Sequence, residues 1–234
     1  MIDSALAGLI ADHLPEPVVI PAGSVRLEGT LTLPPHPLGV VLFAHGSGSS
    51  RFSPRNRLVA DALVSANIGT LLFDLLTEEE ATDRGNVFDV ELLAGRLRHA
   101  TEWIAARPAT ADLGLGYFGA STGAAAALVA AADAARVRAV VSRGGRPDLA
   151  GGFLPRVVAP TLFIVGGADL AVLELNRAAL ARLGGIKRLE VVPGATHLFE
   201  EPGALESVAA LARLWFGQHL GRTSTLGSRL DLVR

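Results

Sequence analysis

The sequence predicts an α/β domain in which a mostly parallel central sheet is flanked by helices. Five largely apolar runs are typical of strands buried on both faces of a sheet, and segments with helical periodicity separate most of them. These runs are residues 39–44, 68–75, 113–118, 137–141 and 160–165, and a sixth strand is predicted at residues 188–192. Strands that alternate with helices pair in parallel and are joined by crossover connections. Because no linker or internal repeat interrupts residues 39–220, we expect one domain.

Shorter signals predict the elements around these strands. Residues 18–20 and 25–33 are predicted to be two short strands that precede the first buried one. Ser53-Pro54 is typical of a helix start, with serine as the N-cap and proline in the first turn. A long amphipathic helix is predicted over residues 86–107, where Pro108 ends it. Further helices are predicted over residues 124–132, 171–183 and 204–220.

The two ends of the chain are interpreted separately. Apolar residues in the first segment repeat with helical spacing, so residues 1–17 are predicted to hold an N-terminal helix that packs on the domain or on a second subunit. These apolar residues are Ile2, Leu6, Leu9, Ile10 and Leu14. Residues 221–234 are polar and aperiodic, and we assign them to a tail outside the fold. The single domain is therefore expected to span residues 1–220.

Composition excludes several classes of function. The chain has 234 residues, a net charge of −2 and no cysteine. This charge gives no electrostatic reason to expect binding to nucleic acid or to an anionic membrane. Without cysteine there is no disulfide or thiolate catalysis, and no two histidines have the helical spacing of a zinc site. No apolar run reaches the ~18 residues of a membrane span and the N-terminus lacks a basic signal region, so we expect a cytoplasmic protein with neither metal nor cofactor.

The motif Gly119-Ala120-Ser121-Thr122-Gly123 carries the strongest functional signal. It lies between a predicted buried strand and an alanine-rich helical segment, which is the context of a nucleophile elbow. A serine at the tip of such a turn has strained backbone geometry, and small neighbours let the strand and the helix approach closely. The Ser121 hydroxyl would then lie above a helix N-terminus whose free N–H groups can stabilise an oxyanion. The alternative is that Ser121 only caps a helix after a glycine-rich turn.

A second loop, His45-Gly46-Ser47, follows the strand predicted at residues 39–44. In a loop of this kind the N–H of Ser47 is the expected first oxyanion donor, and the N–H of Thr122, directly after the nucleophile, is the second. An ordinary tight turn is the alternative, whereas a phosphate-binding loop of the Walker type is excluded because the loop has no lysine. His45 itself is expected to hold the loop by a hydrogen bond.

Two more loops supply the acid and the base of a serine triad. Asp169 follows the strand at residues 160–165, and His197 follows the strand at residues 188–192. The chain order Ser121, Asp169, His197 is that of α/β-hydrolases, with His197 as the general base and Asp169 holding its tautomer. Asp148 is the alternative acid, although its loop lies one strand further from His197.

The sequence says less about the substrate. Arg51 follows the oxyanion loop and Arg143 follows the strand at residues 137–141, so either could bind an anionic or carbonyl group of the substrate. The alternative is that these arginines, with Arg55 and Arg146, are solvated or pair with Asp148, Glu200 and Glu201. Residues 142–159 leave no room for a helical lid, so we expect an open site.

The chain resembles the dienelactone hydrolase family of α/β-hydrolases over about residues 18–220. The segments that carry the resemblance are VVLFAHGSGSS, SPRN, LLFDLL, GYFGASTGAAAALVAAA, IVGGAD and GATHLFEEPG. The resemblance implies an α/β-hydrolase fold without a large cap domain. It also implies that Ser121, Asp169 and His197 form the catalytic triad and that Ser47 and Thr122 are the oxyanion donors.

The chain departs from the namesakes of that family at three positions. The namesakes have a cysteine nucleophile where Ser121 stands, a glutamate where Gly46 stands and, four residues after the catalytic histidine, a substrate-binding arginine where Glu201 stands. We therefore expect a serine hydrolase for small, accessible carboxylic esters or lactones, acting alone or as a homodimer, rather than a hydrolase of dienelactone. An amide or thioester hydrolase on the same triad and a non-catalytic ligand-binding module are the alternatives.

Overall fold

The computed structural model describes residues 14–132 and 134–221, and within them eight strands form one sheet. The strands are β1 (Glu16–Ala22), β2 (Val25–Thr32), β3 (Gly39–Ala44), β4 (Gly69–Phe73), β5 (Gly114–Ala120), β6 (Val137–Arg143), β7 (Thr161–Gly166) and β8 (Lys187–Val192). Their order across the sheet is β1-β2-β4-β3-β5-β6-β7-β8. The β1–β2 and β2–β4 pairs are antiparallel and all the others are parallel, so the prediction of a mostly parallel sheet is confirmed.

The strand order places the site. From β3 the chain proceeds to β4 on one side of β3 and then to β5 on the other side. The connection that leaves β3 therefore runs to one side of the sheet and the connection that leaves β5 runs to the other. In such sheets ligands bind beyond the carboxyl ends of the strands at the point where the direction reverses.

Helices cover both faces of the sheet. They are α1 (Pro54–Val64), α2 (Arg84–Phe88), α3 (Val90–Ala105), α4 (Thr122–Ala131), α5 (Leu170–Arg182) and α6 (Ala204–Leu220), together with 3-10 segments at Glu80–Thr82 and Pro147–Arg156. Along β3, Val41 and Phe43 pack with α1 and α6, whereas Val40 and Leu42 pack with α3 and α4. Successive residues of a strand point to opposite faces, which explains why the central strands are continuously apolar.

Local signals explain where two of the helices begin. Ser53 is the N-cap of α1, as predicted, and its side chain accepts a hydrogen bond from the Asn56 N–H, with Pro54 in the first turn. The prediction of one long helix over residues 86–107 was wrong, because two helices, α2 and α3, occupy this region. They are separated at Asp89, whose side chain accepts a hydrogen bond of 2.9 Å from the Leu92 N–H and so starts α3 as an N-cap.

The two ends of the chain lie mostly outside the described residues. The predicted N-terminal helix falls almost entirely on residues 1–13, which the structure does not describe, while Glu16 and Pro17 belong to β1. Of the predicted tail, residues 221–234, the structure describes only Gly221, which is the C-cap of α6. None of the helices within residues 14–132 and 134–221 is long and apolar enough to cross a membrane.

Candidate active site

Ser121 lies at a strained turn between β5 and α4. Its backbone has φ 52° and ψ −119°, a conformation that residues other than glycine rarely adopt. The flanking glycines are needed for space, since a Cβ at Gly119 would collide with the backbone of Ala124, and one at Gly123 would collide with the carbonyl oxygen of Ala44. The Ser121 N–H donates to the Arg143 carbonyl at 3.2 Å, which ties the turn to β6.

The structure brings Asp169 and His197 together beside Ser121. His197 Nδ1 lies 2.7 Å from Asp169 Oδ2, and His197 Nε2 lies 3.4 Å from Ser121 Oγ. The second distance is long for such a bond, but catalytic hydrogen bonds often tighten only when substrate binds. Gly144, at φ +51°, lies against the histidine, because a Cβ there would be 3.2 Å from the His197 carbonyl oxygen. The three side chains predicted from chain order thus form a hydrogen-bonded series, with His197 between Asp169 and Ser121.

Asp148, the alternative acid, has a different partner. Its two carboxylate oxygens accept hydrogen bonds of 2.9 and 2.8 Å from Arg146. The hydrogen bond from Arg146 holds the pKa of Asp148 below its ordinary value, with only partial opposition from burial. The His197 ring nitrogen bonds to Asp169 instead, so the geometry favours Asp169 as the acid.

The two expected oxyanion donors, Ser47 and Thr122, lie beside each other, but one of them is already engaged. The Ser47 N–H donates to the Thr122 hydroxyl oxygen at 2.9 Å. Gly46 brings this loop close to the nucleophile, since a Cβ on Gly46 would lie 3.1 Å from the Ser121 Cβ. The sequence did not predict the bond between Ser47 and the Thr122 side chain.

A cavity of about 530 Å³ borders the loop His45-Gly46-Ser47. Its volume falls within the range of about 300–1,000 Å³ that is common for small-molecule sites. Leu75, which follows β4, Val87 of α2 and Leu93 of α3 line it together with Ser47 and Thr122. Part of the wall comes from the segment between β4 and α3, and none of it comes from residues 142–159, where the sequence predicts no lid. That second stretch holds the 3-10 segment Pro147–Arg156.

Arg51 and Arg143 differ in how their charges are compensated. Arg51 lines the cavity, but its guanidinium pairs with Asp74 and, at 2.5 Å, with Glu28. Arg143 is buried, and its Nε and Nη1 have no hydrogen-bond partner among the described residues. Burial, together with the nearby charge of Arg55, lowers the pKa of Arg143 to about 10, so the side chain remains a cation at neutral pH. Two of the expected surface pairs do form, between Arg55 and Glu200 and between Arg146 and Asp148.

His45 holds its loop by a hydrogen bond, as expected, and the partner is Leu75, just after β4. Its Nε2 accepts a hydrogen bond of 3.1 Å from the Leu75 N–H, and its Nδ1 lies 3.0 Å from the Gly46 carbonyl oxygen. The first of these bonds requires an unprotonated Nε2. Burial lowers the pKa of His45 below its ordinary value, so the neutral ring that makes both bonds is the stable form.

This histidine predicts a pH dependence of stability. Below pH 6.5, the ordinary titration point of histidine, the unfolded chain binds a proton at His45 that the folded chain does not bind. The free energy of unfolding should therefore fall as the pH falls below that point and be fully retained above it. We expect urea unfolding between about pH 8 and pH 5 to show a steeper loss for the wild type than for His45→Gln, whose amide does not titrate. Parallel pH profiles for the two proteins would contradict the assignment.

Comparison with known proteins decides the family. A dienelactone hydrolase from Anabaena variabilis ATCC 29413, known from its crystal structure, is 55% identical to this chain, with a TM-score of 0.87. The match covers 89% of this chain and 99% of that one. The chain belongs to the dienelactone hydrolase family. No protein-family model matches it.

Other proteins match this dienelactone hydrolase family member either in sequence over part of their length or in fold. Two curated proteins from strains of Mycobacterium tuberculosis, each named "Putative phosphoribosyl transferase", are 65% identical over 206 residues. That match covers 88% of this chain but 46% of the relatives, so the chain spans about half their length. Est1E from Butyrivibrio proteoclasticus, at 16% identity and a TM-score of 0.74 over 86% of this chain and 98% of its own, shows the same fold. A dienelactone hydrolase-like promiscuous phosphotriesterase from metagenomic libraries does so at 17% identity, with a TM-score of 0.74 over 90% and 100%.

The structure shows what this dienelactone hydrolase family member has at the positions where it departs from the namesakes. Gly46 leaves the space beside Ser121 without a side chain. Glu201 accepts a hydrogen bond of 2.6 Å from the Thr196 hydroxyl, and this bond lowers the pKa of Glu201. The carboxylate of Glu201 therefore braces the loop that carries His197.

Proposed function

We propose that the chain is a serine hydrolase that cleaves small, accessible carboxylic esters or lactones through an acyl-enzyme. The observation that carries the proposal is the hydrogen-bonded series Asp169–His197–Ser121, with Ser121 on a strained elbow at the N-terminus of α4. Membership of a hydrolase family supports the same class of reaction. The transferase name of the curated relatives is not carried over, because this chain spans 46% of their length.

The proposed reaction has two halves. His197 Nε2 takes the Ser121 proton while Oγ attacks the substrate carbonyl, and the same proton passes to the departing alcohol as the tetrahedral intermediate collapses. Water then attacks the acyl-enzyme with His197 again as the base, which releases the acid and restores the serine. Asp169 holds the proton of His197 on Nδ1 and stabilises the imidazolium, as the 2.7 Å contact allows.

Arg143 is the better supported of the two arginines proposed to contact substrate. Its buried guanidinium lacks a carboxylate partner among the described residues, whereas the charge of Arg51 is balanced by Asp74 and Glu28. The Phe199 ring lies 5.8 Å from the Arg143 guanidinium carbon, but a buried cation whose N–H groups lack acceptors is costly unless a ligand or water satisfies them. We therefore propose that Arg143 binds an anionic or carbonyl group of the substrate and that Arg51 shapes the cavity rim.

A fluorophosphonate probe and a panel of p-nitrophenyl esters test the proposed function. We expect the probe to label Ser121 and the esters to be hydrolysed faster than matched amides and thioesters. Faster turnover of amides or thioesters would instead indicate that the same site is that of an amide or thioester hydrolase. Absence of both labelling and hydrolysis would instead support a non-catalytic ligand-binding module.

The length of the acyl chain should be limited by the cavity. We expect esters with acyl groups of about two to six carbons to be better substrates than long-chain esters, since each added methylene contributes only ~0.8 kcal/mol and only where apolar surface covers it. Val87→Phe should reduce the usable space and lower kcat/KM for the hexanoyl ester about tenfold while changing the acetyl ester little. Val158→Phe, at a residue that is 72% exposed and does not line the cavity, is the matched control. If both variants keep the wild-type chain-length profile, the acyl group binds elsewhere.

A further inference from the structure

The Thr122 hydroxyl occupies a position beside the expected oxyanion site. It lies 2.9 Å from the Ser47 nitrogen, and its own backbone N–H is the first of α4, which has no partner within the helix. Thr122 is 5% exposed, follows Ser121 directly in the chain and lines the cavity together with Ser47. Two N–H groups expected to bind an oxyanion therefore flank a side-chain hydroxyl.

The hydrogen-bonding capacity of this hydroxyl is only half used. A hydroxyl can both accept and donate, and Thr122 Oγ1 accepts from the Ser47 N–H. Among the residues that the structure describes, no acceptor is found for the Thr122 O–H proton. Because a hydroxyl that accepts a hydrogen bond becomes a stronger donor, this free proton is polarised by Ser47.

We propose that the Thr122 hydroxyl donates a hydrogen bond directly to the oxyanion of the tetrahedral intermediate. The hole then consists of the Thr122 N–H and the Thr122 O–H, and the Ser47 N–H acts mainly by polarising and positioning the hydroxyl. The hydroxyl keeps its proton throughout, so only hydrogen bonds change. This inference rests on the proposed hydrolase function and adds a side-chain donor to a site that the sequence predicts from backbone groups alone.

The alternative is that the hydroxyl blocks the hole and must rotate away before Ser47 can bind the oxyanion. Rotation would break the 2.9 Å bond and move the O–H into the tightly packed start of α4, where Thr122 is nearly buried and χ1 of a β-branched residue is restricted. The donor role requires no such movement, and the two roles predict opposite effects when the hydroxyl is removed.

Thr122→Val removes the hydroxyl and keeps the shape of the side chain. We expect kcat for p-nitrophenyl acetate to fall on the order of 10²- to 10³-fold, as for loss of one oxyanion donor, with KM within about threefold of the wild type. The affinity for a trifluoromethyl ketone, which forms a tetrahedral adduct with the serine, should fall with kcat. Thr122→Ser, which retains the hydroxyl, should keep kcat within about tenfold of the wild type.

Thr101→Val is the matched control, because Thr101 is a buried threonine whose hydroxyl bonds to Tyr117 in the core and which does not line the cavity. It should leave kcat unchanged, and thermal unfolding will show that both valine variants are folded.

If Thr122→Val is folded and as active as the wild type, or more active, the hydroxyl is a block and the inference is overturned. If Thr122→Ser loses as much activity as Thr122→Val, the hydroxyl is not the cause and the inference also fails. A wild type that neither hydrolyses esters nor reacts with the fluorophosphonate would instead remove the proposed function, and the inference with it.

Discussion

Ser121→Ala should reduce kcat for ester hydrolysis on the order of 10⁴- to 10⁶-fold while the protein stays folded. The loss is expected because Oγ is the only side-chain atom that alanine lacks, and Oγ lies 3.4 Å from His197 Nε2. Alanine keeps the Cβ, so the strained backbone at φ 52° and the packing around it are unchanged. Steady-state kinetics with p-nitrophenyl acetate and labelling by the fluorophosphonate measure the effect.

Ser121→Gly separates the chemistry of the residue from its conformation. The glycine variant should also be inactive, because it lacks Oγ, but glycine adopts a positive φ without strain. Strain at such a position is worth about 1–3 kcal/mol, from which the greater freedom of glycine in the unfolded chain must be subtracted. We expect the glycine variant to be roughly 1 kcal/mol more stable than the alanine variant by denaturant unfolding. Activity of either variant within tenfold of the wild type would place the nucleophile elsewhere.

Asp169→Asn should lower kcat on the order of 10³- to 10⁴-fold. The asparagine amide can donate to His197 Nδ1, and the ring then carries its proton on Nε2, where it cannot accept the proton of Ser121. Asp169 is mostly shielded from solvent, and the change preserves its shape, so a loss of activity without loss of stability would identify a tautomer effect. Kinetics and thermal unfolding of the same preparation are the required measurements.

Asp148→Asn is the matched control for that experiment. Asp148 pairs with Arg146, and the side chains are 29% and 40% exposed, so the pair contributes at most about 1 kcal/mol to stability. The Arg146 N–H also donates to the Ser121 carbonyl at 3.1 Å, so a small indirect effect on activity, about threefold, is expected. A larger loss in Asp148→Asn than in Asp169→Asn would move the acid to Asp148.

The sequence predicts the sheet and the grouping of the candidate site because both depend on local signals. Apolar runs identify the buried strands, and residues at the carboxyl ends of parallel strands meet at one edge of the sheet. The order Ser121, Asp169, His197 then predicts which side chains meet, and the structure places them within hydrogen-bonding distance. Gly119 and Gly123 helped to predict the elbow for the same reason, because the turn itself leaves no room for a side chain at either position.

Features that depend on competing or long-range contacts were not predicted. The helix over residues 86–107 has a continuous apolar stripe, but Asp89 breaks it because its carboxylate caps a new helix. The cavity wall was also missed, although a local signal was present. Thr77 and Glu80 form a capping box, in which each side chain accepts a hydrogen bond from the backbone N–H of the other. The bond between Ser47 and Thr122 joins residues 75 positions apart, and no local pattern encodes it.

Residues 77–88 supply part of the cavity lining, through Thr77, Glu78, Ala81 and Val87, whereas the proposed reacting groups come from the ends of β3, β5, β7 and β8. Residues 77–88 are held in place by contacts that involve none of the reacting groups. Glu80 pairs with Arg96 of α3 at 2.5 Å, and Arg96 also donates to the Ala22 carbonyl of β1 at 2.6 Å. In the proposed hydrolase, this part of the cavity lining and the reacting groups therefore lie in separate stretches of the chain. Exchange of residues 77–88 between family members, with Glu80 and Arg96 retained, gives a modular route to altered selectivity that leaves the nucleophile and its partners untouched.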